Sequence, residues 1–141
     1  MKGTRGITYK INEPISTTQF IHLLEQSNLG VRRPLDDTTV IEGMLAHSNL
    51  LITAWHGDTI VGVARSVTDF HYRCYLSDIA VADKAQHRGI GKELIRLTIK
   101  QLGSKCQLVL LSSPTAIDYY PKLGFIKHED AWILSNAELL T

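Results

Sequence analysis

The sequence predicts an α/β protein in which one mixed β-sheet carries helices on both faces. Two apolar, strand-like runs at residues 50–55 and 59–68 are separated by a short polar stretch containing Gly57, a pattern typical of a β-hairpin. A third such run, at residues 72–81, leads into an amphipathic helix. With the remaining elements the order is β-α-α-β-β-β-α-β-α-β-β, and strands that alternate with helices in this way form a sheet covered by helices.

The N-terminal elements are predicted from alternation and capping signals. Residues 7–12 alternate like a strand. Ser16 precedes apolar residues at helical spacing and is expected to cap a helix that runs through about residue 26. A loop at residues 28–34 follows, and Asp36 or Asp37 is expected to cap a second helix.

The C-terminal half is predicted from the same periodicities. From Ile90 onward, Leu94 and Ile95 belong to an apolar helix face, whereas Lys92 and Arg96 belong to a charged one. The later elements are a short buried strand at residues 107–111, a helix at residues 115–123 and two terminal strands near Phe125 and Trp132.

Composition limits the functions that need to be considered. The chain has 141 residues, 44% of them hydrophobic, which suits a single domain spanning residues 1–141. A formal net charge of +1 provides no basic surface for a nucleic acid, so no nucleic-acid partner is expected. No apolar run has the length of a signal peptide core or a membrane span, which predicts a cytoplasmic protein with no membrane partner.

The cysteines and histidines predict no metal site. Cys74 and Cys106 lie in separate apolar runs and form neither a metal-ligand spacing nor a disulfide framework, so both are expected to be buried free thiols. No cysteine, aspartate or second histidine stands at ligand spacing from four of the histidines: His22, His47, His56 and His128.

The most informative stretch follows the third strand-like run. Its end, Ile79-Ala80-Val81, leads through a polar turn to Gln86-His87-Arg88-Gly89-Ile90-Gly91-Lys92, where an amphipathic helix begins. The first turn of a helix presents unpaired N–H groups and the positive end of the helix dipole, both of which attract phosphate. Gly89 and Gly91 remove side chains where a diphosphate must approach the backbone, and the other polar side chains add donors or charge. The segment therefore predicts an anion-binding cradle.

Two common phosphate-binding motifs do not fit this cradle. The Rossmann fingerprint needs a third glycine where Leu94 stands, and the P-loop needs serine or threonine where Glu93 stands. The remaining pattern, Gln-x-x-Gly-x-Gly after an Ile-Ala-Val strand end, resembles the acetyl-CoA signature of the GNAT superfamily of N-acyltransferases. An ordinary helix entry, with glycines for close packing, is the alternative for this stretch alone.

A second segment strengthens the resemblance. Thr115-Ala-Ile-Asp-Tyr-Tyr-Pro-Lys-Leu-Gly-Phe125 is similar to a later helix of the same family, usually written Ala-x-x-Phe-Tyr-x-Lys-Leu-Gly-Phe. Tyr119 stands where the family usually has phenylalanine. With both signatures in the right order, the chain is identified as a small, single-domain, bacterial-type member of the GNAT superfamily.

The resemblance implies a binding mode for acetyl-CoA, the expected co-substrate. In the family, two neighbouring parallel strands splay apart and the pantetheine arm inserts between them. Here the main chain of Ile79, Ala80 and Val81 would pair with that arm, and one N–H group there would polarise the thioester carbonyl. The cradle would bind the diphosphate through these residues: Gln86, His87, Arg88, Gly89, Ile90, Gly91 and Lys92.

The resemblance also suggests a general acid. Tyr120 stands where many family members have a tyrosine that protonates the thiolate of CoA, and a phenol with a pKa of about 10 is protonated at neutral pH. Packing on the sheet is the alternative for Tyr120, while Tyr119 is expected to face the core. Ser113 stands where the family often has an asparagine that contacts pantetheine, and a serine can make fewer hydrogen bonds there.

The general base is less clear from the sequence. Asp78 is the candidate on the third strand-like run, with a structural ion pair or cap as its alternative. Tyr75 on the same run faces the opposite way unless a bulge intervenes. Family members commonly deprotonate the amine through ordered water, so a dedicated base is not required.

The acceptor is expected to be a primary amine of a small molecule or a peptide. Residues of both charge signs are expected on the acceptor side, so polyamine-like and amino-acid-like substrates both stay open: Arg32, Arg33, Asp36, Asp37, Asp69 and Arg73. Two other functions also stay open, a non-catalytic acyl-CoA-binding module that regulates a partner and a toxin-type enzyme that acetylates charged tRNA. The near-neutral charge argues against the tRNA enzyme. The sequence leaves the oligomeric state open, including a homodimer.

Overall fold

The computed structural model describes residues 6–141, in which five strands and four α-helices are formed. In chain order they are β1 (Ile7–Ile11), α1 (Thr17–Glu25), α2 (Thr38–His47), β2 (Leu50–His56), β3 (Thr59–Thr68), β4 (Arg73–Val81), α3 (Ile90–Lys100), β5 (Gln107–Val109) and α4 (Tyr119–Lys122). The chain divides into two compact units, one that ends at Leu111 and one that runs from Ser112 to Thr141. The first unit holds the whole sheet with α1, α2 and α3, and the second holds α4.

The sheet is mixed, as the sequence predicts. Its order is β1-β2-β3-β4-β5, with antiparallel pairing from β1 to β4 and parallel pairing between β4 and β5. Successive side chains of a strand point to opposite faces, so Gly62 and Arg65 of β3 mark the two faces. Gly62 lies against α3, whereas Arg65 bonds to Met44 of α2, so helices cover both sides of the central strand. The predicted α/β class is confirmed.

Helix α1 begins with the cap that the sequence predicts. Ser16 Oγ accepts a hydrogen bond from Gln19 N at 3.0 Å, and Gln19 Oε1 accepts one from Ser16 N at 2.9 Å. This reciprocal capping box satisfies two N–H groups that the helix itself cannot pair. Asp37 similarly caps α2 by accepting from Val40 N, which resolves the choice between Asp36 and Asp37. The buried face of α1 consists of Phe20, Leu23 and Leu24.

We expect Ser16→Ala to lower the free energy of unfolding by about 1 kcal/mol, because it leaves the N–H of Gln19 without its acceptor. Equilibrium urea unfolding followed by circular dichroism measures this loss. Ser16→Thr is the control, since its hydroxyl can cap the same group, and it should stay close to the wild-type value. Equal unfolding free energies for the alanine and threonine variants would show that the cap does not contribute.

Helix α3 rests on β3 at a glycine. A Cβ atom at Gly62 would lie 3.1 Å from Leu94 Cδ1 and 3.2 Å from Ile90 Cγ2. The side chains of Leu94 and Ile90 are both fully buried in the interface between α3 and the sheet. The absence of a side chain at Gly62 therefore lets the helix approach the strand closely.

Two expectations for the C-terminal part are wrong in detail. The predicted helix at residues 115–123 is broken into a 3₁₀ turn, Pro114–Ala116, and the short α4, because Pro121 has no N–H to bond to Ile117 and its ring crowds the carbonyl of that residue. No strand follows β5 in the described residues, so the strands expected near Phe125 and Trp132 are not formed. Trp132 is 92% exposed and Ile133 69%, and a hairpin without a buried face is at most marginally stable.

None of the helices in the described part of the chain is long and apolar enough to cross a membrane.

Candidate active site

The central strand β4 has an open edge over its second half. The parallel pairing with β5 covers only Arg73, Cys74 and Tyr75, after which β4 continues to Val81 with no strand beside it on that side among the described residues. On the other side, Ala82 N donates to Val61 O at 2.9 Å, so Ala82 faces β3. Because main-chain groups alternate along a strand, the N–H and C=O groups of Ile79 and Val81 point away from β3, toward the open edge.

A sharp turn joins the open edge to α3. A 3₁₀ turn at Asp83–Ala85 is followed by two residues in the left-handed region, His87 with φ 64° and Gly89 with φ 76°. Residues other than glycine are strained in this region, whereas glycine adopts it freely. Gly89 therefore permits the sharp bend of the backbone at this turn. Open space surrounds the position that a Cβ atom of Gly89 would occupy.

The first turn of α3 leaves its N–H groups available. The first intrahelical bond is made by Glu93 N, which donates to Gly89 O at 3.1 Å, and Gly89 provides no side-chain cap. The N–H groups of Ile90, Gly91 and Lys92 therefore have no partner within this helix. Together with the left-handed turn they form a concave group of donors of the kind that binds anions.

The side chains of the predicted cradle divide into exposed and internal ones. His87, Arg88 and Lys92 are exposed, whereas Ile90 is buried in the core and can contribute only its main chain. Gln86 Nε2 donates to Val81 O and to Asp83 Oδ1, each at 3.2 Å. Gln86 therefore holds the turn against the end of β4, and Arg88 and Lys92 supply the free positive charge.

Asp78 lies in the middle of a buried ion network. Arg33 Nε donates to its Oδ1 at 2.7 Å, and Arg65 Nε donates to its Oδ2 at 2.5 Å. The side chain of Asp78 is 0% exposed. Arg65 also donates to Met44 O and to Ser77 Oγ, and Arg33 donates to Ser77 O at 2.8 Å.

This network bears on the candidate general base. A general base must offer a free oxygen to the proton that it takes. Both oxygens of Asp78 accept from guanidinium groups, and the carboxylate has no exposed surface, so the geometry favours the structural alternative for this residue. The two arginines were not identified as its partners from the sequence, although a charged residue in each of two neighbouring apolar strands is a signal that could have shown the cross-strand pair.

The charged residues expected on the acceptor side are mostly engaged with the protein itself. Asp37 caps α2, and Asp69 Oδ1 accepts from three successive N–H groups, which lowers the pKa of this carboxyl. Arg73 stacks on the ring of Tyr72. Arg32 and Asp36 form no side-chain hydrogen bond or ion pair to the residues that the structure describes.

The second compact unit contains Tyr120 and Ser113. Tyr120 is buried and packs edge-on against Tyr119 and Phe125, with ring centroids 5.3 and 5.4 Å apart. Burial and the neighbouring Tyr119 raise the pKa of Tyr120 above 10, so its hydroxyl is protonated at neutral pH. Tyr119 is 39% exposed, so the expectation that it faces the core is wrong. Ser113 is half-buried, and its hydroxyl lies 3.3 Å from that of Thr115.

Groups of three or more histidine, cysteine, aspartate or glutamate side chains that could hold a metal ion are not found among residues 6–141. Cys74 and Cys106 are free thiols in the structure; Cys74 is buried, as expected, whereas Cys106 is only partly buried.

Comparisons with known proteins agree on one family. The model of the acetyltransferase (GNAT) family matches residues 17–125. An uncharacterized N-acetyltransferase, ycf52, from Porphyra purpurea is 31% identical over 127 residues, which span 82% of this chain and 71% of the relative. The chloroplastic GCN5-related N-acetyltransferase 1 of Arabidopsis thaliana is 29% identical over 120 residues, which span 81% of this chain and 61% of the relative.

Solved structures share the fold. An acetyltransferase of the GNAT family from Streptococcus pneumoniae superposes with a TM-score of 0.70 at 23% identity, covering 92% of this chain and 99% of its own. An acetyltransferase from Trypanosoma brucei gives a TM-score of 0.68 at 24% identity, with 92% of this chain covered.

Proposed function

The chain belongs to the GNAT family of acetyltransferases and is an acyltransferase, and on this premise we propose that it moves an acetyl group from acetyl-CoA to a primary amine of a small molecule or peptide. The observation that carries the proposal is the junction of β4 and α3. There an open strand edge, with the main chain of Ile79 and Val81 facing outward, leads within a few residues to an uncapped helix start. The open strand edge suits an amide-containing arm, and the uncapped helix start suits a diphosphate.

The residues present suit acetyl-CoA in charge and in the main-chain groups that they leave free. The free N–H groups of Ile90, Gly91 and Lys92 would hold the diphosphate, and the exposed side chains of Arg88 and Lys92 would add positive charge. The outward main-chain groups of Ile79 and Val81 would pair with the amides of pantetheine as an added strand would. The bound molecule supplies an acetyl group activated as a thioester.

The chemistry left to the protein is polarisation and proton transfer. An N–H group fixed in the strand, such as that of Ile79, would stabilise negative charge that develops on the thioester oxygen. Tyr120, in the position of the family's tyrosine, would give its proton to the departing sulfur. Asp78 is engaged by two arginines, so we propose that water rather than this carboxylate removes the proton of the amine.

The free charges on the acceptor side bear on the choice of amine. Of the charged residues on the acceptor side, Arg32 and Asp36 retain side chains that are not engaged elsewhere among the described residues. One of each sign is compatible with an amine that also carries a carboxylate, and an amine-panel assay that follows thiol release from acetyl-CoA identifies the substrate directly. We further propose that residues 1–141 act as one catalytic domain in a reducing compartment such as the cytoplasm, where free thiols persist.

Gly89→Glu tests the cradle. The substitution places a negative charge beside the proposed diphosphate site, and repulsion between the two negative charges should make acetyl-CoA bind at least about tenfold more weakly. Isothermal titration calorimetry with acetyl-CoA measures the change in Kd.

Gly57→Glu is the matched control for this experiment. Gly57 also has a positive φ, 61°, and open space at its Cβ position, but it lies in the turn between β2 and β3. Its variant carries the same strain and charge and should bind acetyl-CoA as the wild type does. Equal Kd values for the two glutamate variants would remove the cradle from the proposal.

A further inference from the structure

Strand β4 contains one extra residue, and this residue decides which main-chain groups face the open edge. In the register with β3, Arg65 lies opposite Asp78 and Ser66 opposite Leu76, so Ser77 is a β-bulge with no partner of its own. Before the bulge, Arg73 O accepts from Asp69 N, so the odd-numbered residues of β4 face β3. Beyond it the even-numbered residue Ala82 bonds to β3.

The bulge therefore reverses the alternation of the strand. In an unbulged strand the N–H and C=O groups of Ile79 and Val81 would be paired with β3, and those of Ala80 would face outward. With the bulge in place, Ile79 and Val81 face the open edge instead. The proposed acetyl-CoA site thus depends on the bulge staying where it is.

Two arginines hold the bulge at Ser77. Its carbonyl oxygen, which lies outside the ladder, accepts from Arg33 Nη2 at 2.8 Å, and its hydroxyl accepts from Arg65 Nη2 at 2.9 Å. Both arginines also bond to the next residue, Asp78, which gives each guanidinium a fixed anchor. Arg65 belongs to the neighbouring strand, whereas Arg33 reaches the bulge from the segment between α1 and α2.

We infer that Arg33 is a positioning residue: by bonding the bulge at Ser77 it sets the register of β4 and so aims the main chain of Ile79 and Val81 at the open edge. The inference rests on the proposed function, in which these groups bind acetyl-CoA. Arg33 acts through the backbone of β4, because its guanidinium is engaged by Ser77 O and Asp78 Oδ1. Its guanidinium suits this role because its rigid planar fork bonds a carboxylate and a carbonyl at once, whereas the compact ammonium of a lysine on a flexible stem holds the two acceptors less firmly.

Arg33→Met in the full chain tests the inference. The variant should fold, because Asp78 keeps its pair with Arg65 and the side chain of Arg33 is partly exposed. In the protein without ligand, the amide hydrogens of Ala80 and Ala82, which face β3, should exchange faster with deuterium as the register loosens, as measured by NMR. With acetyl-CoA, kcat/KM should fall about a hundredfold, the size expected when reacting groups are misplaced by about 1 Å. Arg33→Lys should lie between the variant and the wild type.

Arg96→Met provides the matched control. Arg96 also makes a two-pronged pair with a carboxylate, that of Glu93 at 2.7 and 2.6 Å, but on α3 and away from the bulge. Its loss should leave amide exchange in β4 and kcat/KM at wild-type values.

The outcomes separate the inference from the proposed function. Wild-type protein that fails to bind acetyl-CoA in calorimetry would overturn the proposed function before any variant is compared. Where the wild type binds acetyl-CoA, unchanged exchange at Ala80 and Ala82 or unchanged kcat/KM in Arg33→Met would overturn the inference, even if the melting temperature of the variant falls. Faster exchange together with the loss of kcat/KM, absent from Arg96→Met, supports it.

Discussion

Tyr120→Phe is expected to lower kcat by about a hundredfold while leaving the affinity for acetyl-CoA unchanged. The substitution removes only the hydroxyl, so the edge-on packing against Tyr119 and Phe125 is retained. General acids contribute about a hundredfold to ten-thousandfold to a rate, and we expect the lower end because water can replace the donor in part. Burial also raises the pKa of this phenol, which makes it a weaker acid. Single-turnover kinetics with an amine identified by the panel measure the chemical step.

The pH dependence gives a second measurement for the same residue. Burial and the neighbouring Tyr119 raise the pKa of Tyr120 above that of a free tyrosine, so the hydroxyl stays protonated through neutral and mildly alkaline pH. The wild-type rate should therefore not decline through loss of this proton at the pH where an unperturbed tyrosine ionises, about 10.

Tyr119→Phe is the control for register. Tyr119 is the more exposed of the two rings, and the family usually has phenylalanine at this position, so its variant should turn over normally. A wild-type rate in Tyr120→Phe would exclude the hydroxyl as the acid. A loss confined to Tyr119→Phe would move the role to the neighbouring residue.

Asp78→Asn is expected to lower the free energy of unfolding by about 3–5 kcal/mol, because it leaves two arginines beside a buried site without their counter-charge. The side chain of Arg65 is only 6% exposed, so water cannot replace the lost carboxylate there. Urea unfolding at fixed pH and temperature measures the loss.

A surface ion pair gives the comparison for this variant. Glu13 pairs with Lys10 at 3.5 Å, and both side chains are well exposed. Glu13→Gln should change stability by less than about 1 kcal/mol, as is usual for exposed pairs. A similarly small change in Asp78→Asn would mean that the buried network contributes little to the fold.

The parts of the fold that were predictable from the sequence depend on neighbours in the chain. The Ser16 cap needs only a polar side chain before an amphipathic run, and the cradle needs only glycines after a strand end. Pro121 is also a local signal for a break in the helix. The helix expected at residues 115–123 instead followed the resemblance to the family's longer helix. Here the covalent geometry of proline overrides the similarity.

The parts that were not predictable depend on partners far apart in sequence. Arg33 and Asp78 are separated by 45 positions, and nothing in either segment specifies the other. The bulge at Ser77 likewise follows from the register between two strands. A terminal strand was expected near Trp132, but a strand forms only where a neighbour pairs with it, and none of the described residues does so.

The close seating of α3 on Gly62 has a consequence for the proposed site. In the proposed binding mode, acetyl-CoA would contact both the start of α3 and the open edge of β4. Gly62 sets how closely α3 can approach the sheet, and even a methyl group there would have to displace Leu94 and Ile90 by a few tenths of an ångström. The distance between the two parts of the proposed site is therefore set partly by a residue beneath the helix that belongs to neither part.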